Sequence, residues 1–417
     1  PYATFYGRSY IRVDEFESEP DDLHSDVGQI PFPKSWERFF QPGSLMEELL
    51  RNYFEDPMCE TSAVTLECIL QMVCVRRDVF ERYDDIDKWF NILTNGLMTI
   101  LKNSTGLTKQ ENHHMVCRIL GQLASAGFMI RLASSASWPE LGQLLLNFTL
   151  ASIKASRWCE NSVPYLITFW SHMSRRTMPG RCVTDAVSKS VGDSVKVVYS
   201  AYIQSKLADS VALVRDPSLN NPLLNIDSAL EQVSSTSVGF LSRRSAEDSV
   251  SALVQSFEQL LAMITAARQE MATTNEQFLI LLYQLSWVLY FAAAHFDQRR
   301  DVNDARLVAY ILKVIFLYCG GGPDGAGPLQ LERNVEAHTA FGLALVNACS
   351  TLHQVIFCSY GSEDGTPFSQ LLVSLVGEKL ASKPTILEML LTEIRVSLRG
   401  APTVASAAVE LLAQFSE

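Results

Sequence analysis

Apolar residues recur along the chain at helical spacing, in blocks separated by short polar or Pro/Gly-containing breaks. The clearest blocks lie between Ser137 and Met173. Ser137 and Glu140 read as an S-x-x-E capping box, so a helix is predicted to start at Trp138. Its apolar positions fall on two stripes: Leu141, Leu145 and Phe148, then Leu146, Leu150 and Ile153. A surface helix needs one stripe; two predict burial on two sides. After a polar break at Arg157–Asn161 a second helix opens. Asn161 or Ser162 is its N-cap, and Pro164 sits in the first turn, where the missing N–H costs nothing. Val163, Leu166, Ile167 and Trp170 keep the i, i+3, i+4, i+7 register. A short loop makes the two helices antiparallel neighbours.

That hairpin repeats. Ser44-x-x-Glu47 opens a helix. Thr61 or Ser62 opens one running to Val79, Asp84–Asp87 a third and Thr108-x-x-Glu111 a fourth. With Ser137 and Ser162, helix starts recur about every 25 residues, and two helices per unit give a period near that of HEAT or armadillo repeats, about 40–47 residues. Further helices are predicted over Ala186–Val214, Leu223–Val238, Ala246–Arg268, from the Thr274-x-x-Gln277 box to Phe296, and over Asp301–Tyr318. Leu331–Cys358, Phe368–Val376, Pro384–Leu398 and Pro402–Phe415 complete the set. No run keeps strand alternation. The expected fold is all-α, an α-α superhelix of HEAT/armadillo type.

The expected organisation is an acidic loop with the tail of a preceding helix at 1–34, helical repeats at 35–319, a Gly-rich linker at 320–328 and further repeats at 329–417. Both ends read as cut from something longer. Hydrophobic content of 47% excludes wholesale disorder. A net charge of −12 disfavours non-specific nucleic-acid binding. Nine scattered cysteines, an odd number, read as free thiols of a reducing compartment.

Candidate chemistry is sparse. Phe278–Phe296 has no Asp, Glu, Lys or Arg and approaches the length of a bilayer span. Its partner arm is short and carries Lys313, so a core helix packed on both sides is the preferred reading and no membrane is expected. His113 and Cys117, and Cys349 and His353, show i, i+4 spacing without further ligands, so no metal is expected. Residues 320–328 lack the G-K-[ST] of a phosphate loop, no catalytic motif is present, and nothing places a nucleophile beside a base. Neither catalysis nor a cofactor is expected. Two charged features remain as partner-binding candidates. Glu17, Glu19, Asp21 and Asp22 lie in a loop read either as solvated or as touching a basic partner. Arg76 and Arg77 either complement a helix C-terminus, worth about 0.3–1 kcal/mol each, or contact a partner.

A series of short words carries a family resemblance. They are Gln29-Ile30-Pro31 with Ser35-Trp36 and Phe39, Val75-Arg76-Arg77 with Phe80, Trp138-Pro139-Glu140 with Asn147-Phe148-Thr149, and Asn161–Leu166 with Trp170. Ala201-Tyr202-Ile203 with Leu207, and Leu285–Val288 with Tyr290, continue it. In order and spacing these resemble the middle of the exportin-7 family, a branch of the importin-β (karyopherin) superfamily of nuclear transport receptors. The resemblance implies a right-handed HEAT superhelix that binds protein cargo and the GTP form of the small GTPase Ran. It also implies shuttling between nucleus and cytoplasm through nuclear pores, past their nucleoporins, without catalysis. The family's main Ran contact lies in N-terminal repeats that this stretch lacks. A HEAT scaffold or regulatory subunit outside transport is the alternative.

Overall fold

The computed structural model describes residues 32–75, 79–159, 161–180, 183–216, 219, 221–225, 229–269, 276–296, 304–318, 335–352, 370, 374–375, 387, 391 and 401–416. These residues are helical, with no strand among them, as the pattern predicts. After a 3-10 turn at Lys34–Phe39 come α1 (Leu45–Glu55), α2 (Ser62–Val73), α3 (Tyr83–Asn103), α4 (Gln110–Ser125), the short α5 (Met129–Ala133), α6 (Trp138–Lys154) and α7 (Val163–Arg176). Then follow α8 (Asp185–Arg215), a 3-10 turn at Pro222–Asn225, α9 (Ala229–Arg244), α10 (Ala246–Gln269), α11 (Glu276–His295), α12 (Asp304–Tyr318), α13 (Val335–Leu352) and α14 (Pro402–Ser416). Contacts divide the chain into two compact units, Pro1–Ala201 and Tyr202–Glu417, with the boundary inside α8.

In the first unit α1 packs on α3 and α3 on α6, while α2 packs on α4 and α4 on α7. The helices α1, α3 and α6 form one row, and α2, α4 and α7 a second. α1 packs on α2 and α6 on α7 across the rows. That is the packing of stacked helical repeats, in which neighbours shelter the flanks that a single hairpin leaves open. Gly96 lets α1 and α3 approach: a Cβ there would lie 2.6 Å from Leu50 Cδ2. An aromatic chain, Phe40–Phe80–Trp89–Phe128–Phe90, joins α3 to the segments around it with ring centroids 5.4–5.9 Å apart.

The second unit repeats the scheme. α9, α11, α13 and α14 stand in one row, and α10 packs on α12 in the other. α11 touches α9, α10, α12 and α13. This accounts for its apolar surface all round, since the buried set runs unbroken from Leu285 to His295. The bilayer-length reading of this stretch therefore gives way to a core helix. α10 is the other described helix long and apolar enough to cross a membrane, and it is less deeply buried.

Helix starts fall near the predicted positions, but the predicted caps are absent. Ser44, Thr61, Ser137 and Ser162 make no side-chain bond to their helices. Their hydroxyls have other partners: Phe39 O for Ser44 at 2.8 Å, Cys59 Sγ for Thr61, Ser135 for Ser137, and His114 Nδ1 for Ser162. α2 ends at Val73, short of the predicted Val79. The apolar run continues because Val75, Val79 and Phe80 are core residues of the turn. The helix predicted over Leu223–Val238 is displaced. Asn221 Oδ1 accepts the Leu223 N–H at 3.2 Å, a 3-10 turn follows, and α9 begins at Ala229. The Gly-rich linker and the helices predicted over Phe368–Val376 and Pro384–Leu398 lie outside, or almost entirely outside, the described residues.

Candidate partner-binding surface

Glu17, Glu19, Asp21, Asp22, Arg76 and Arg77 all lie outside the described residues. The arrangement that is described around the second row of the first unit is built from α2, α4 and α7.

Its turns are tied by side chains reaching backbone carbonyls. Asn112, buried near the start of α4, donates from Nδ2 to Pro57 O at 2.8 Å and Gly106 O at 3.2 Å, and its Oδ1 accepts from Ser62 Oγ at 3.0 Å. Lys109 Nζ donates to Cys59 O at 2.8 Å, and Tyr53 OH to Thr105 O at 2.8 Å. Burial pushes the Tyr53 hydroxyl up to about 12. Gly106 has φ +69°, and a Cβ there would lie 2.5 Å from Tyr53 OH and 2.8 Å from Pro57 O, so only glycine fits. Gln110 Nε2 carries the pattern on to Trp158 O at 2.5 Å.

One turn further, α4 meets α6 and α7. His113 Nε2 lies 2.9 Å from Ser152 Oγ, and its Nδ1 lies 3.7 Å from Cys117 Sγ. Burial, and then the neighbouring His114, hold the His113 imidazole down to about 4, so it is neutral at pH 7. Cys117 is fully buried and its thiol is pushed well up. The i, i+4 pair seen in the sequence is thus part of a packed interior, with His113 directed to a serine. No group of three His, Cys, Asp or Glu converges among the described residues. His114 turns the other way, to Ser162 Oγ at 3.0 Å and to the Tyr165 ring with centroids 5.7 Å apart. Gly121 makes room for Tyr165, since a Cβ would come within 3.0 Å of its ring. Trp170 Nε1 donates to Thr149 Oγ1 at 2.9 Å, fixing α7 on α6.

On α7, Tyr165, His172 and Arg176 recur at i, i+7 and i+11 and share a face; on α4, His114 and Arg118 do so at i, i+4. All five are half-buried. Burial, then Arg175 and Arg176, hold His172 down to about 3; burial, then Arg118, lower His114.

The second unit holds a constellation that the sequence hid. Ser242 Oγ lies 2.5 Å from His295 Nδ1, and His295 Nε2 lies 3.2 Å from Asp304 Oδ1. A serine, a histidine and an aspartate distant in sequence are brought together, against the expectation that no nucleophile meets a base. Ser242 is 0% exposed and His295 and Asp304 no more than 3%. The set clamps α9, α11 and the first turn of α12 and opens to no substrate. Beside it, α9 approaches so closely that a Cβ on Gly239 would collide with Ala294 O.

No family model matches the chain and no solved structure matches it. Curated proteins do. The chain is 24% identical to Exportin-7-A of Xenopus laevis over 315 residues, 74% of this chain and 28% of that protein. It is 26% identical to Ran-binding protein 16 of Drosophila melanogaster over 318 residues, 74% and 28% of the two chains. It is also 26% identical to Ran-binding protein 17 of Homo sapiens over 322 residues, 75% and 29%. The chain spans less than a third of the length of these curated relatives. Over about three quarters of its residues the chain is thus similar to Exportin-7 and to Ran-binding proteins 16 and 17.

Proposed function

We propose that the chain is the central part of a nuclear transport receptor of exportin type, which binds protein cargo and GTP-bound Ran and shuttles between nucleus and cytoplasm through the pore, past its nucleoporins. The observation that carries this reading is the similarity to proteins named for export and for Ran binding across three quarters of the chain. The receptor works by binding alone, without catalysis, cofactor or membrane insertion. Ran and cargo each favour one curvature of the helical stack, so each strengthens the other's binding. A repeat stack suits this because small rotations between neighbours add along its length. Glu17, Glu19, Asp21, Asp22, Arg76 and Arg77 are the residues assigned to partner contact outside the described surface, and nucleic acid is not a partner.

The test uses the full-length parent protein. Pull-downs with GTP-locked and GDP-bound Ran are expected to recover only the GTP form. Equal recovery of both, or of neither, overturns the reading in favour of a helical scaffold unconnected with transport.

A further inference from the structure

The first helix of the first row carries an open groove. Glu47, Leu50, Arg51, Phe54 and Glu55 of α1 line a hollow of about 510 Å³. Their spacing of i, i+3, i+4, i+7 and i+8 puts all five on one face. Leu50 and Phe54 give the hollow an apolar floor. Leu50 is the residue that meets Gly96 of α3, and the half-buried Phe54 ring lies against the Tyr53 ring with centroids 5.8 Å apart. The rim is acidic. Arg51 is turned to Glu48 of its own helix, Nη1 to Oε2 at 2.7 Å. Glu47 and Glu55 make no hydrogen bond or ion pair among the described residues. They stand eight residues apart, about 12 Å along the helix.

The chain itself holds a segment of complementary chemistry. Residues 1–31 lie outside the described residues. Within them, Tyr2–Val13 carries Arg8 and Arg12, has no Asp or Glu, and is rich in large apolar side chains: Tyr2, Phe5, Tyr6, Tyr10 and Ile11. The stretch that follows, Asp14–Asp26, is its opposite, with seven Asp and Glu and no Lys or Arg. The described chain begins at Phe32, and the turn at Lys34–Phe39 leads straight into α1, where Ser44 Oγ donates to Phe39 O at 2.8 Å. Residues 14–31 can span up to about 60 Å, whereas α1 is about 16 Å long, so the tether does not limit where Tyr2–Val13 can reach.

From this match of groove and segment we infer that Tyr2–Val13 docks in the α1 groove of its own chain. Arg8 and Arg12, four residues apart, can span up to about 14 Å, enough to pair with Glu47 and Glu55. An aromatic side chain of the segment fills the hollow over Leu50 and Phe54. The acidic stretch Asp14–Asp26 is the poorer occupant, because it would set like charges against Glu47 and Glu55. Docking shelters the open face of α1 with the chain's own residues, as neighbouring helices shelter the later members of the row. The inference stands apart from the transport reading, since neither Ran nor the pore enters it.

The test is amide hydrogen exchange of α1 in the intact 417-residue chain. Arg8→Glu/Arg12→Glu should lower the protection of α1 about fivefold or more and leave α4 and α7 unchanged. Glu47→Lys/Glu55→Lys should do the same. The two sets combined should restore protection, because the charges are exchanged, and a misfolded chain cannot imitate that recovery. If the reversals fail to fold, Arg8→Gln/Arg12→Gln chains with unaltered thermal melting carry the test and should show a smaller loss. Protection of α1 that is indifferent to Arg8 and Arg12, or that the combined exchange does not restore, overturns the proposal. So does protection that rises with protein concentration, which assigns the segment to a second copy. A rise in α1 protection on adding an oligo-lysine peptide to the unaltered chain also overturns it, since the groove is then open to a partner.

Discussion

The two units solve one packing problem with different materials. In the first, the turns between paired helices are tied by polar side chains: Asn112, Ser62, Lys109 and Tyr53 all reach carbonyls of neighbouring turns. In the second, α11 is wrapped by four helices. Its fit rests largely on apolar bulk and on the bare backbone of Gly239 against Ala294, with a buried polar clamp at His295. Each large apolar side chain of α11, such as Trp287 or Phe291, contributes at most about 1.5–3 kcal/mol by its removal from water. Similar stacks can thus be held at their edges or at their centre. A lesion should therefore act differently in each.

The sharpest break is Gly239→Ala. Helix propensity alone favours alanine by about 1 kcal/mol. The new methyl group meets the backbone carbonyl of Ala294, which cannot rotate away, so α9 and α11 must separate. A net loss of about 3 kcal/mol is expected for the second unit in denaturant melts. Gly96→Ala in the first unit meets only the Leu50 side chain, which can change rotamer, and should cost far less.

Asn112→Ala tests the polar edge. It leaves the Pro57 and Gly106 carbonyls and the Ser62 hydroxyl without this buried partner, and about 2 kcal/mol of loss is expected for the first unit. A smaller effect than that of Leu66→Ala would be no surprise; none at all would show that the edge is ornamental.

The smallest expected effect is a pH dependence confined to the first unit. The folded-state pKa of His113 is depressed to about 4, so unfolding takes up a proton below the ordinary histidine value near 6.5. The stability this neutral imidazole contributes is complete above that value and is lost as pH falls toward 4. His113→Gln should flatten the slope of stability against pH in this window, by on the order of 1–2 kcal/mol across it. An unchanged slope would place the acid sensitivity elsewhere, with His172 the next residue to replace.

The helical stack was legible in the sequence because its signals are local. Pro164 after Ser162, and the register of Val163, Leu166, Ile167 and Trp170, placed α7, and all four apolar residues are buried. The predicted caps were misleading in detail. Ser137 and Ser162 mark true helix starts, yet their hydroxyls serve Ser135 and His114. Partners brought close by tertiary packing outcompete the local bond. The Ser242–His295–Asp304 set was illegible for the same reason, since its members come from three helices.

The central claim is that each unit is a row of helices stabilised by its own neighbours. Amide hydrogen exchange, read by mass spectrometry on the intact wild-type and Gly239→Ala chains, tests it most directly. The account predicts that the substitution lowers protection in α9, α10, α11, α12 and α13 and leaves α1–α7 as protected as before. Equal loss of protection in α1–α7 would contradict it, and would mean that the whole chain opens as a single cooperative body.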